Sequence, residues 1–212
     1  MRLVSIRGAA VLTVIVTAIA LVSCRARNAT DAQYGGAQES ALATAAAASD
    51  LAAVQRLLAT GADPNKMVRF PDLYHAPWEI ALTHVRPERR ETVEIAKAML
   101  AAGANPAAAW GQLNARGAIR THPQEPLMLA LSHPSPDVVR AIMDAGLDPR
   151  LGQLPLVQAV EAGETEIVHI LVEHGVDVNC HPTANTPLIA AIESRNVDLM
   201  TYLEEHGARE KP

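Results

Sequence analysis

The chain has 212 residues, a formal net charge of −5, 49% apolar residues and only 3% aromatic ones. An acidic balance leaves no basic footprint for nucleic acid, and so few aromatics mean a core built from alanine and aliphatic side chains packed closely. Two cysteines, Cys24 and Cys180, offer no multi-disulfide framework.

The amino end reads as a targeting segment. Arg2 and Arg7 form a basic start, and Gly8 to Ser23 is an uncharged, mostly apolar run of 16 residues. A bilayer-spanning helix needs about 20, so the run suits a secretory signal over residues 1–23. It ends in Leu21-Val22-Ser23-Cys24, which resembles the bacterial lipobox. That resemblance implies that Cys24 is diacylated on sulfur, that cleavage falls before it, and that it becomes the first residue of a lipoprotein. The alternative is an uncleaved membrane anchor. Either way the remaining chain is expected outside the cytoplasm, held at a membrane. In such lipoproteins an aspartate after the cysteine commonly signals inner-membrane retention, so Arg25 favours the outer membrane, if the cell has one. Residues 24–39 are expected to form a flexible tether, because polar and small residues dominate and Gly35-Gly36 interrupts any helix.

From residue 40 onward the sequence repeats. In Leu154 to Asn179, Leu156, Ala159 and Val160 share one helical face. After a break at Ala162-Gly163-Glu164, a wider apolar face follows with Ile167, Val168, Ile170, Leu171 and Val172. Gly175 then stands where a helix takes a left-handed terminal residue. Neither helix is long enough to persist alone in water. Equivalent glycines occur at Gly61, Gly103, Gly146 and Gly207, and a leucine stands 19 positions before four of the five, at Leu42, Leu127, Leu156 and Leu188. Pro126, Pro155 and Pro187 precede three of these leucines, and Pro77-Trp78 opens the remaining unit. Units of this length bury their apolar faces only by stacking on one another. The pattern resembles the ankyrin repeat, TPLxxAxxxGxxxxVxxLLxxGADxN. The resemblance implies an all-α solenoid of about five helix-turn-helix units with hairpin or loop fingers. The repeat domain would cover 40–209, with units near 40–65, 76–106, 125–149, 154–179 and 186–209.

The units differ in detail. The first has an alanine-rich helix over Ala41 to Ala48 and a second from Asp50 to Thr60, capped by Ser49 or Asp50. In the second unit, 25 positions rather than 19 separate Trp78 from Gly103. The six additional residues lie around HVRPERRET, as an extended turn or a lengthened second helix, with Pro87 suited to a first helical turn. In the third, Ser135 is expected to cap the helix that begins at Pro136-Asp137. The fifth ends in the polar EEHGAREKP, fit to close the stack. Between turn glycine and next helix opening the connections are unequal: two are long, after Gly61 and Gly103, and the one after Gly146 is clipped.

Candidate chemistry is sparse. No phosphate-binding glycine loop, HExxH or GxSxG occurs, and no nucleophile and base pair can be assembled; the chain is read as a non-enzyme that needs no cofactor. His174 and His206 occupy the same place in adjacent repeats, with Cys180-His181 between them. Stacked units lie about 10 Å apart, so these histidines read as structural or surface residues rather than metal ligands, and Cys180 as an inert small residue. Trp78 and Tyr202 replace leucines on core faces, so packing is expected of both. Phe70, Tyr74 and Trp110 fall instead in the two long fingers, with Arg69, Arg116 and Arg120. They are either partner anchors or aromatics buried within the fingers themselves. In the ankyrin family, residues late in the first helix face the concave surface, which implies Thr83, His84, Ser132, His133, Glu161 and Glu193 as partner-binding positions. Charge is lopsided: residues 151–212 hold 10 acidic and 3 basic side chains, a net of −7. That is either a solvated helix face or a guide for a basic partner.

The expected function is a lipid-anchored, monomeric module that binds another protein in the bacterial cell envelope. By resemblance, one form is an immunity protein neutralising a secreted toxin or lipase. The alternative is a structural or stress-protective envelope scaffold.

Overall fold

In the computed structural model the described residues are 35–69, 74–107, 111–113, 119–121, 125–181 and 185–209, with backbone alone at 111–113, 119–121 and 125. Among the described residues, ten helices fall into five consecutive pairs. They are α1 (Ala37–Ala47) with α2 (Leu51–Ala59), α3 (Pro77–Thr83) with α4 (Arg90–Ala101), α5 (Glu125–Ser132) with α6 (Pro136–Asp144), α7 (Gln153–Ala162) with α8 (Thr165–Glu173), and α9 (Pro187–Glu193) with α10 (Val197–Glu205). The odd-numbered helices pack on one another in chain order, as do α2, α4, α6 and α8, so the chain is a two-layered stack. Two antiparallel hairpins project from it, β1 (Val68–Arg69) with β2 (Tyr74–His75) and β3 (Gly111–Leu113) with β4 (Ile119–Thr121). They stand side by side, β2 next to β3, without joining into one sheet.

Local chemistry explains where each helix begins. Proline, which has no N–H to lose at a helix start, opens α3, α6 and α9. Asp50 accepts from the Ala53 N–H at 2.9 Å, Thr186 from Ile189 at 3.2 Å and Asn196 from Leu199 at 3.1 Å, each satisfying an otherwise orphaned donor. All five repeat glycines end their units with φ between +85° and +91°, where a Cβ would be strained. Leu42, Leu127, Leu156 and Leu188 are buried, as are Ile167, Ile170 and Leu171. The core is therefore one aliphatic seam running between the layers from unit to unit.

Several boundaries differ from the sequence expectation. The first helix begins at Ala37, within the stretch expected as tether, because the Glu39 carboxylate turns back to accept the Gly36 N–H at 2.7 Å. It ends at Ala47, one residue before the expected Ala48. In the fourth unit α7 starts at Gln153, continuing a 3-10 turn over Pro149–Gly152, so Pro155 lies inside the first turn instead of opening it. This turn is what the clipped connection becomes. Ser135 holds the N-cap position of α6, but its side chain makes no capping bond.

The insertion in the second unit is shared between the two alternatives. The turn His84 to Arg89 has six residues where units one, three and five have three, and α4 has 12 residues where the other second helices have nine. Pro87 lies in that turn, three residues short of the helix. A buried hydroxyl ties the turn down. Thr92 Oγ1 accepts the Arg86 N–H at 2.8 Å and lies 3.0 Å and 2.8 Å from the Arg86 and Arg89 carbonyl oxygens, one of which takes its proton. Thr92→Val keeps the volume and strands the Arg86 N–H. Urea unfolding should show a loss of about 1–3 kcal/mol, with Thr92→Ser close to unchanged.

Candidate functional site

The positions expected to face a partner do form a row. Thr83, Ser132 and Glu193 are the last residues of α3, α5 and α9, Glu161 lies in the last turn of α7, and His84 and His133 follow α3 and α5. All are exposed except the half-buried His84. Because the odd-numbered helices stack in order, these residues come to the same end of one layer. Their polar groups are held locally. Thr83 Oγ1 lies 2.8 Å from the Ile80 carbonyl oxygen and 3.0 Å from His84 Nδ1, which is itself 2.8 Å from the same carbonyl. Glu193 accepts from Asn185 Nδ2 at 2.9 Å.

The finger residues are less completely placed. Arg69 is exposed in β1, opposite the half-buried Tyr74 in β2. Arg120 stands in β4 opposite Gln112. Phe70, Trp110 and Arg116 lie outside the described residues, as does Cys24.

Of the two aromatics expected in the core, Trp78 is buried, at 2% exposure, and Tyr202 is not fully so. Tyr202 packs against the core from the rim of the even-numbered layer, with its ring 4.0 Å from that of His169 on α8 and 4.1 Å from that of His206. Burial, then the nearby Glu173 charge, raise its hydroxyl pKa. A stack from two helices and a turn is a long-range feature that no single repeat could reveal.

The repeat histidines are structural in their contacts. His174 Nδ1 lies 2.7 Å from the Ile170 carbonyl oxygen, and Nε2 lies 2.9 Å from Asp144 Oδ1 on α6. Both neighbours are acceptors, so only the doubly protonated ring can satisfy both. The bond to Asp144 is the main cause that raises the His174 pKa; burial and Arg140 oppose it, and the Ile170 carbonyl supports it. Arg140 pairs with Glu173 at 3.7 Å across the same junction. The folded pKa is above the ordinary 6.5, so this contact contributes fully below that pH and fades as pH rises through the folded value. Between acid and mildly alkaline buffer the wild-type chain should lose up to about 1 kcal/mol more than Asp144→Asn, the ceiling for an exposed pair. Equal pH slopes in urea titrations of the two proteins would contradict it.

Two asparagines also tie units together. Asn65 Nδ2 donates to the Gly103 carbonyl oxygen at 2.9 Å, and its Oδ1 accepts the Asn105 N–H at 2.8 Å. Asn179 repeats this toward Gly207 and Arg209, at 3.0 Å and 2.9 Å. Both stand four residues after a turn glycine, a signal visible in GADPN and GVDVN. Ala107 and Arg150 occupy that place in units two and three, and the His174 contact bridges units three and four.

Among the described residues, no three of His, Cys, Asp and Glu are grouped to hold a metal ion, and no helix is long and apolar enough to cross a membrane. Cys180 is buried, and burial followed by the Asp177 charge pushes its thiol up to about 11. Such a thiol is scarcely ionised at neutral pH and is a poor nucleophile.

No curated protein matches the chain. The family model for ankyrin repeats (3 copies) matches residues 127–211, the span of units three to five. Ankyrin repeats serve as protein–protein interaction modules, and the fold described above is an all-α solenoid containing them.

Proposed function

We propose that this chain is a lipid-anchored ankyrin-repeat module that captures a protein in the bacterial cell envelope, outside the cytoplasm. The observation that carries the binding role is the exposed row of Thr83, Ser132, His133, Glu161 and Glu193 at matching ends of successive odd-numbered helices. Stacked repeats present such a surface without needing a pocket or a cofactor. The net of −7 over 151–212 favours a basic partner, whose approach the field would accelerate. The module acts as a monomer. An immunity role, in which the captured protein is a secreted toxin or lipase, fits an envelope-facing binder.

The anchor rests on Leu21-Val22-Ser23-Cys24 at the end of a short apolar run. Cys24→Ser should abolish incorporation of labelled palmitate and leave unprocessed or soluble protein. Unchanged labelling and membrane fractionation would remove the anchor from this reading. Affinity capture from envelope extracts, followed by mass spectrometry, identifies the partner; a secreted hydrolase supports the immunity role, and its absence removes it.

A further inference from the structure

Between α5 and α7, at the ends that carry Ser132 and Ala162, lies a cleft of about 220 Å³ lined by Met128, Leu131, Ser132, Gln158, Ala162 and Glu164. Small-molecule sites are usually ~300–1,000 Å³, so this one suits a single long side chain. Met128, Leu131 and Ala162 make its walls apolar. Its polar groups are predominantly acceptors. The Ser132 hydroxyl spends its proton on the Met128 carbonyl oxygen at 3.0 Å and keeps only lone pairs. Gln158 and Glu164 are half-buried, and neither side chain has a hydrogen bond or ion pair among the described residues. Glu164 occupies the N-cap position of α8 without capping it. A guanidinium entering there would meet a carboxylate with no partner to displace. The surroundings reinforce the sign: Glu161 and Glu166 are exposed nearby in sequence, within residues 151–212, whose net charge is −7.

We infer that this cleft receives one arginine side chain of the bound protein. The stem lies along Met128, Leu131 and Ala162, and the guanidinium donates to the Glu164 carboxylate and the Gln158 amide oxygen. Arginine fits better than lysine, because its planar, weakly hydrated head presents several donors to acceptors set apart from one another. The assignment deepens the protein-binding reading and depends on it for its biological meaning.

The test is an NMR titration of the isotope-labelled full chain with N-acetyl-arginine methylamide, and with its lysine and citrulline counterparts. The amide signals of Leu131, Ser132, Ala162 and Glu164 should shift together and saturate with the arginine probe. Citrulline keeps the shape and loses the charge, and should bind about tenfold more weakly or worse, as should arginine to Glu164→Gln; that is the worth of one charge-assisted hydrogen bond. Lysine should bind more weakly than arginine. Shifts spread over the acidic residues of α8 and α10, or shifts that Glu164→Gln leaves unchanged, would overturn the assignment. If the probe fails and the partner captured from extracts still binds, the cleft assignment falls alone. If the probe binds and no partner is captured, the broader reading falls instead.

Discussion

Replacing Leu171 by alanine should destabilise the domain by about 2–5 kcal/mol, the cost of emptying a fully buried leucine site. Leu171 has no exposed surface and sits in α8, which packs against both α6 and α7. The surrounding helices are short and held by neighbours on two sides, so the cavity cannot collapse easily. Leu203, equally buried in α10, offers the comparison. The stack places no described unit beyond the fifth, so Leu203→Ala should loosen that unit locally. In a solenoid, stability is a sum of units and interfaces between neighbours. Hydrogen exchange should therefore quicken across units three to five in Leu171→Ala, and mainly in α9 and α10 in Leu203→Ala. Uniform acceleration in both variants would mean a single globular core instead.

The second large effect is at Gly152, which ends the 3-10 turn in place of a finger. A Cβ added there would lie 2.6 Å from Val176 Cγ2, far inside contact distance, and 3.7 Å from Leu171 Cδ2. Val176 is itself buried, so it has little room to withdraw. Gly152→Ala should cost about 1–3 kcal/mol through overpacking. Val176→Ala removes the obstructing methyl, so the double variant should be less destabilised than the sum of the two single changes. Additive losses would show that the close approach is not the cause.

Much of the stack was legible because repetition turns a weak local signal into a phased one. One glycine after an apolar run says little; five at equivalent places, each found with positive φ, fix the unit. The buried leucines 19 residues upstream were legible for the same reason. Helix starts were less so. Glu39 reaching back to Gly36 extends α1, and Asp148 accepting the Arg150 N–H at 2.9 Å shapes the 3-10 turn before α7; both are side-chain decisions that an apolar period does not encode. The six inserted residues were counted correctly in the sequence, but their division between turn and helix depends on where Thr92 is buried. Contacts between units were the least legible. Asn65 and Asn179 carried a visible spacing, whereas the pairing of His174 with Asp144 required knowing which helices are adjacent.

The row at the ends of the odd-numbered helices is tested most directly by matched charge changes on the two layers. Glu161→Lys/Glu193→Lys alters the row, and Glu204→Lys/Glu205→Lys makes the same change in net charge on α10. All four side chains are exposed, so both variants should melt close to the wild type. The measurement is the affinity of each for the protein captured from envelope extracts. If the row is the binding surface, the first pair weakens binding by at least tenfold, with dissociation faster as well as association slower, and the second pair changes only the association rate. Equal effects of the two pairs, or none from the first, would contradict it.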